Sequence, residues 1–137
     1  MTKVLICGDR NWNDYNFIRD TLIKYRDDHT IDSIDFVIEG EAEGADKLGR
    51  QAAEWLGIIV LKYPADWTKY GRAAGPIRNK EMLVDGRPDE VWAFHDHISK
   101  SKGTMNMIRL ARAKGVPVHL YSHFIGIGHF VDVIVPG

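Results

Sequence analysis

The 137 residues carry 18 Lys and Arg against 19 Asp and Glu, a formal net charge of −1, so the chain as a whole has no electrostatic pull toward nucleic acid or an anionic membrane. Apolar residues make up 45% and charged residues 27%, the composition of a globular protein rather than a disordered chain. The length suits one domain, residues 1–137, and no apolar stretch approaches the ~20 residues of a membrane span.

Lys3–Cys7 is a short apolar run that reads as a strand and stops at Gly8. Cys7 is the single cysteine, which rules out a disulfide within the chain and suits a reducing compartment. It reads as a small buried apolar residue rather than a catalytic thiol. No signal-peptide pattern precedes it, and the expected location is the cytoplasm. Asn13 or Asp14 is placed to cap a helix reaching Asp28, with Phe17, Ile18, Leu22 and Tyr25 on its inner face. Asp35–Glu39 is a second strand, with Phe36, Val37 and Ile38 buried. A helix over Gly44–Leu56 follows, with Ala45, Leu48, Ala52 and Trp55 predicted inward and Gly57 as its stop. Ile58–Tyr63 is a third strand, ended by Pro64. Ala65–Gly75 shows no periodicity, and loops of that length in compact domains are usually functional. Pro76 suits the first turn of a helix to Val84. Glu90–His95 is a fourth strand, Lys102–Lys114 a helix with Met107, Ile108 and Ala111 inward, and Val116–Tyr121 a fifth strand.

Strands that alternate with helices and are mostly apolar predict an α/β three-layer fold with a mostly parallel sheet of five or more strands. Residues 122–137 break this rhythm, and Phe130–Val135 reads as an edge strand or a dimer contact. In a parallel sheet the loops that leave the strands' carboxyl ends share one edge, where ligands bind.

Four polar, glycine-bearing stretches occupy those loops. Lys102, Gly103 and Thr104, behind Ser101, present free helix N–H groups to an oxyanion, or form an ordinary capped turn. Gly40, Glu41, Gly44 and Asp46 allow close approach of a ligand and offer carboxylates to ribose hydroxyls, although Asp46 is also spaced to pair with Arg50. Arg72, Arg78 and Lys80 surround Pro76 near a helix start, where cations are unfavourable without an anion nearby. Arg78→Ala is accordingly expected to weaken anion binding with little effect on folding. Gly8, Asp9, Arg10 and Trp12 close the first strand, where Trp12 either stacks on a base or covers the adjoining helix. His95, His97, His119, His123 and His129 lack any metal-ligand spacing, and no metal is expected. Together these residues predict one pocket for a phosphate-bearing small molecule.

Gly8-Asp9-Arg10, Glu39-Gly40 with Ala42 and Gly44-Ala45-Asp46, Pro64-Ala65-Asp66-Trp67, Gly71-Arg72-Ala73-Ala74-Gly75-Pro76-Ile77-Arg78-Asn79 and Ser101-Lys102-Gly103-Thr104 resemble the YspA-like, YpsA-related branch of the SLOG superfamily. The resemblance runs from Lys3 to Tyr121. It implies a Rossmann-like fold, kinship with DNA-processing protein A and the LOG phosphoribohydrolases, and the binding or processing of nucleotides and nucleotide-derived signals in bacteria and their phages. Set against the LOG motifs, Arg78-Asn79 matches an Arg-Lys pair and Gly103-Thr104 a phosphate-binding Gly-Thr. Met107 stands where those enzymes carry a catalytic glutamate, and Glu41 where the branch usually has glycine.

The resulting expectation is a nucleotide-binding protein, a sensor or sequestering protein, with no cofactor beyond its nucleotide-type ligand, no membrane partner and a possible homo-oligomeric state. Gly103, Thr104, Lys102 and Arg78 would hold phosphate, Asp46 and Glu41 would hold ribose, Arg10 and Trp12 would flank the base, and Gly8, Asp9, Gly40, Gly44, Arg72, Asn79 and Ser101 complete the expected ligand site. The alternative is a phosphoribohydrolase-like enzyme in which Glu41 or Asp46 replaces the missing glutamate. Single-stranded DNA binding ranks third, because it needs a basic groove with stacking aromatics.

Overall fold

The computed structural model describes residues 1–29 and 33–124. Five strands, β1 (Thr2–Gly8), β2 (Ile34–Glu39), β3 (Ile59–Lys62), β4 (Glu90–Phe94) and β5 (Val118–Tyr121), form one sheet in the order β3-β2-β1-β4-β5. Every pairing is parallel, with Val4 opposite Val37 on one side and Glu90 on the other. The parallel α/β sheet expected from the alternation, and the Rossmann-like architecture that the resemblance implies, are therefore present. The helices are α1 (Tyr15–Asp28), α2 (Ala45–Trp55), α3 (Trp67–Tyr70), α4 (Ala74–Val84) and α5 (Lys102–Ala113). The edge strand expected at Phe130–Val135 lies outside the described residues.

Side-chain alternation along β1 explains the layering. Val4 and Ile6 point to one face and join Phe17, Ile18 and Leu22 of α1 and Ala52 and Ala53 of α2. Leu5 and Cys7 point to the other and join Met82 and Leu83 of α4 and Met107, Ile108 and Ala111 of α5. Val4, Leu5 and Ile6 are wholly buried, each side chain worth about 1.5–3 kcal/mol of transfer free energy.

The inner face of α2 differs from the expected one. Trp55 is 66% exposed, and the buried set is Ala45, Asp46, Gly49, Ala52 and Ala53. A Cβ on Gly49 would come within 2.7 Å of the Ile6 side chain, so α2 lies too close to β1 for anything but small residues. Trp55 faces outward with the Arg19 guanidinium 5.9 Å from its ring centre. Phe36, expected in the core, is only half-buried. The aperiodic stretch after Pro64 holds the short helix α3 and a 3₁₀ turn over Gly71–Ala73, and α4 starts two residues ahead of Pro76. None of the helices among the described residues is long and apolar enough to cross a membrane.

Candidate functional site

All five strands run the same way, so the loops after Gly8, Glu39, Lys62, Phe94 and Tyr121 meet on one edge of the sheet. The first two are knitted by backbone contacts. The Asp9 carbonyl accepts the N–H of Trp12 and of Ala45, each at 3.1 Å, and Asp9 N–H donates to the Phe94 carbonyl at 2.9 Å. Gly44 makes that crossing feasible: its φ is +78°, and a Cβ there would lie 2.2 Å from the Asp9 carbonyl oxygen.

Two adjoining cavities open on this edge. The larger, about 600 Å³, is walled by the loop after β1, the N-terminal part of α4 and the N-terminus of α5. Gly8, Asp9, Arg10, Asp46, Arg72, Arg78, Asn79, Ser101, Lys102, Gly103 and Thr104 all line it. The smaller, about 320 Å³, lies between the Gly40–Glu43 loop and Pro64–Trp67. Gly40 and Glu41 line this one, and Arg10, Ala42, Trp67 and Arg78 line both. Gly44 lines neither.

Trp12 is also absent from both walls, and this corrects its expected place beside a base. It is 5% exposed, with Phe17 and Phe94 edge-on at 5.4 and 5.8 Å between ring centres. The His123 imidazole stacks on it at 4.7 Å and covers the face a ligand would need. His123 is held there by Asp14 at 2.8 Å and Asp96 at 2.7 Å, and these bonds raise its pKa. The tryptophan that does reach the cavities is Trp67, 49% exposed, with the Arg10 guanidinium 5.7 Å from its ring centre. Its sequence signal is an Asp66 cap, whose carboxylate accepts Lys69 N–H, at the end of a strand.

The larger cavity is basic. Arg10, Arg72, Arg78, Lys100 and Lys102 line it against the carboxylates of Asp9 and Asp46. Ser101 caps α5 by accepting Thr104 N–H at 3.1 Å, leaving the N–H groups of Lys102 and Gly103 as donors the helix itself cannot pair. Among the described residues, nothing lies within 4 Å of a Cβ built on Gly103, so they do not require glycine at that position. Thr104 is buried behind this turn.

Arg78 is 8% exposed and bonds the structure as well as facing it. One Nη1 hydrogen goes to the Gly40 carbonyl, and Nε donates to Asn79 Oδ1 at 3.0 Å. These bonds use two of the five guanidinium hydrogens. Asn79 in turn donates to the Gly103 carbonyl at 3.3 Å and to Asn106 at 3.0 Å, tying α4 to α5. Removing the Arg78 side chain would therefore disturb the fold, contrary to the expectation of little effect.

The carboxylates divide similarly. Asp46 Oδ2 accepts Gly40 N–H at 3.2 Å and Ala42 N–H at 3.3 Å, and burial pushes its pKa up to about 6 despite Arg78. It shapes the loop, and it does not pair with Arg50. Arg50 Nε instead lies 3.0 Å from Glu41 and 3.9 Å from Glu39, with Nη1 3.6 Å from Glu54. Glu39 is wholly buried and its carboxyl is pushed up to about 9, first by burial and then by its contact with Glu41. Glu41 is lowered, first by that contact with Glu39 and also by Arg50. Glu41 holds a φ of +59°, the left-handed region that glycine occupies without strain, and its N–H donates to Glu39 Oε2 at 2.8 Å.

Burial lowers the pKa of His95, a wall of the larger cavity. Its Nδ1 accepts His97 N–H at 2.9 Å, so the ring proton sits on Nε2, 4.0 Å from Asp9 Oδ2. His95 thus offers the cavity a donor rather than a base. Among the described residues, no group of three or more His, Cys, Asp or Glu is arranged to hold a metal. Sequence reasoning missed Glu39 and His95 as site-forming residues, although each is a polar residue at the carboxyl end of an apolar strand.

The chain is 33% identical over 125 residues to the gene 61 protein of Mycobacterium phage D29, covering 86% of this chain and 94% of that one. Its fold matches DNA processing protein A from Streptococcus pneumoniae with a TM-score of 0.64 at 13% identity, over 87% of this chain and 49% of that protein, so it spans about half of the latter's length. The model of the YspA, cpYpsA-related SLOG family matches residues 2–70, from β1 through α3. That match takes in the loops carrying Asp9, Arg10, Gly40, Glu41, Asp46 and Trp67, whereas Arg78 and the turn at Gly103 fall beyond it. The chain belongs to the YspA, cpYpsA-related SLOG family.

Proposed function

We propose that the chain binds a nucleotide or nucleotide-derived small molecule, with phosphate in the larger cavity, and that it senses or sequesters this ligand rather than turning it over. The observation that carries the reading is convergence. In a chain of net charge −1, five basic side chains, Arg78 among them, and the α5 N-terminus meet on one cavity. Helix N–H groups and arginine forks are the groups that suit phosphate oxygens. The case against turnover rests on Met107, which lines the cavity with 1% exposure and can neither take nor give a proton. Likeness in fold to a DNA-processing protein suggests strand binding as a second reading, but the cations here face a pocket rather than a long groove.

Gly103 supplies the test. Gly103→Ala meets no atom of the described residues, and alanine suits a helix better than glycine by roughly 0.5–1 kcal/mol. Its methyl would stand beside the N–H groups assigned to phosphate. The variant should melt no lower than the parent while losing about tenfold or more in nucleoside monophosphate affinity by calorimetric titration. Unchanged affinity in Gly103→Ala would remove the α5 turn from the site.

A further inference from the structure

We infer that the smaller cavity is a base-recognition compartment, selective for nucleobases that carry an exocyclic amino group, with Trp67 as stacking platform and Glu41 and Glu43 as acceptors of the amino hydrogens. The inference rests on the nucleotide reading above and adds to it which part of the ligand lies where and how it is chosen.

The first support is Trp67. An indole is normally well buried, yet this one is half exposed, in a cavity whose neighbouring surface is Pro64 and Ala65. Asp66 caps its helix, and the far edge of its ring is within 3.4 Å of where a Cβ on Gly75 would sit. A flat aromatic platform of this kind suits a planar ring, and stacking tolerates every base.

Choice among bases has to come from the rim, and the rim offers carboxylates. Glu41 and Glu43 both line the cavity. Each is paired with a cation behind it, Glu41 with Arg50 at 3.0 Å and Glu43 with Lys47 at 2.6 Å. Both are thereby held as acceptors, and a carboxylate has more lone pairs than one cation uses. An amino group of adenine, guanine or cytosine donates to such an acceptor. The oxo edge of hypoxanthine or uracil presents a lone pair there instead, which repels. The cavity also meets the larger one along Arg10, Ala42, Trp67 and Arg78, so a phosphate held by the cations of the larger cavity places its base on the Trp67 side.

The experiment is calorimetric titration of the full chain with AMP and IMP, which differ in the amino-to-oxo exchange, with CMP and UMP, and with 2′-deoxy-AMP and inorganic phosphate. AMP should bind about ten- to a hundredfold more tightly than IMP, and CMP than UMP, as for loss of a hydrogen bond to a charged group. Glu41→Gln and Glu43→Gln should each narrow the AMP-to-IMP gap; Glu43 is exposed, so its variant is expected to fold normally even if Glu41→Gln does not. Trp67→Ala should lower AMP affinity about five- to a hundredfold, and by more than it lowers that of inorganic phosphate. Equal binding of AMP and IMP would overturn the base assignment while leaving the phosphate site standing. So would an AMP-to-IMP gap that survives both glutamine variants, or a loss confined to 2′-deoxy-AMP, which would give the carboxylates to ribose. If no nucleotide and no phosphate binds, the nucleotide reading falls and this inference falls with it.

Discussion

Arg78 both bonds the Gly40 carbonyl and lines the two cavities, whereas the acid nearby, Glu39, serves the fold alone. Glu39 ends β2 as a buried acid whose carboxyl is pushed from 4.5 up to about 9 by burial and by Glu41. The folded state holds that proton more tightly than the unfolded chain, so the stability this group contributes is complete below about 4.5 and is lost as the pH rises through about 9. Asp46, raised from 3.8 to about 6 by burial, acts with the same sign over a lower window. His123, raised by its bonds to Asp14 and Asp96, does so as the pH climbs through its folded pKa. Thermal stability should therefore decline from about pH 6 to 9. Glu39→Gln keeps a donor toward Glu41 and removes the titrating proton, so melting curves across that range should be flatter for the variant. An unchanged slope would assign the titration to another group. Residue identity alone could not separate the two loop tryptophans, because Trp12 and Trp67 stand four and five residues past the end of a strand. Phe94 and His123, some 80 and 110 residues further along the chain, decide that Trp12 belongs to the core.

Among the elements, α1 and α5 were readable because their signals are local. Asp14 accepts Phe17 N–H at 3.1 Å, Ser101 accepts Thr104 N–H, and the apolar faces repeat at helical spacing. The inner face of α2 was not, since its limit is the proximity of Ile6 on a distant strand, which no pattern within the helix encodes. Met107 belongs to both environments that its spacing on α5 allowed, because it lines the larger cavity and packs with Cys7 and Met82 in the core. Met107→Glu would place a carboxylate where the parent has 1% exposure. It should destabilise the chain by at least about 2 kcal/mol at neutral pH, with part of the loss recovered at pH 5 as the group takes a proton. Urea unfolding at the two pH values measures this, and equal loss at both would show that the charge is solvated or paired. Release of ribose 5-phosphate from nucleoside monophosphates should stay well below ~1 s⁻¹ in the parent.

For the whole molecule, succession was legible and adjacency was not. The apolar runs announce five parallel strands, but similar short runs fit any slot, and the order β3-β2-β1-β4-β5 depends on crossovers. Charge behaves likewise: the near-neutral sum hides the basic cavity that the fold assembles from three separate loops. That placement predicts how the molecule treats polyanions. A pocket accommodates one or two phosphates, whereas a strand-binding groove neutralises many, and each phosphate on a single strand contributes about −0.7 to the slope of log affinity against log salt. A single-stranded oligonucleotide titrated at several salt concentrations should bind weakly with a slope shallower than about −2. A slope steeper than about −3 would revive the strand-binding reading.

The central place of β1 also has a consequence for how the chain is made. Its wholly buried Val4, Leu5 and Ile6 need β2 on one side and β4 on the other, and β4 lies about 80 residues further along. At roughly 5–20 residues per second of synthesis, β1 leaves the ribosome about 4–16 seconds before the partner that closes its second edge exists. The central strand of the finished protein is thus, in the nascent chain, an uncovered apolar edge, and it is a segment that a chaperone would have reason to shield.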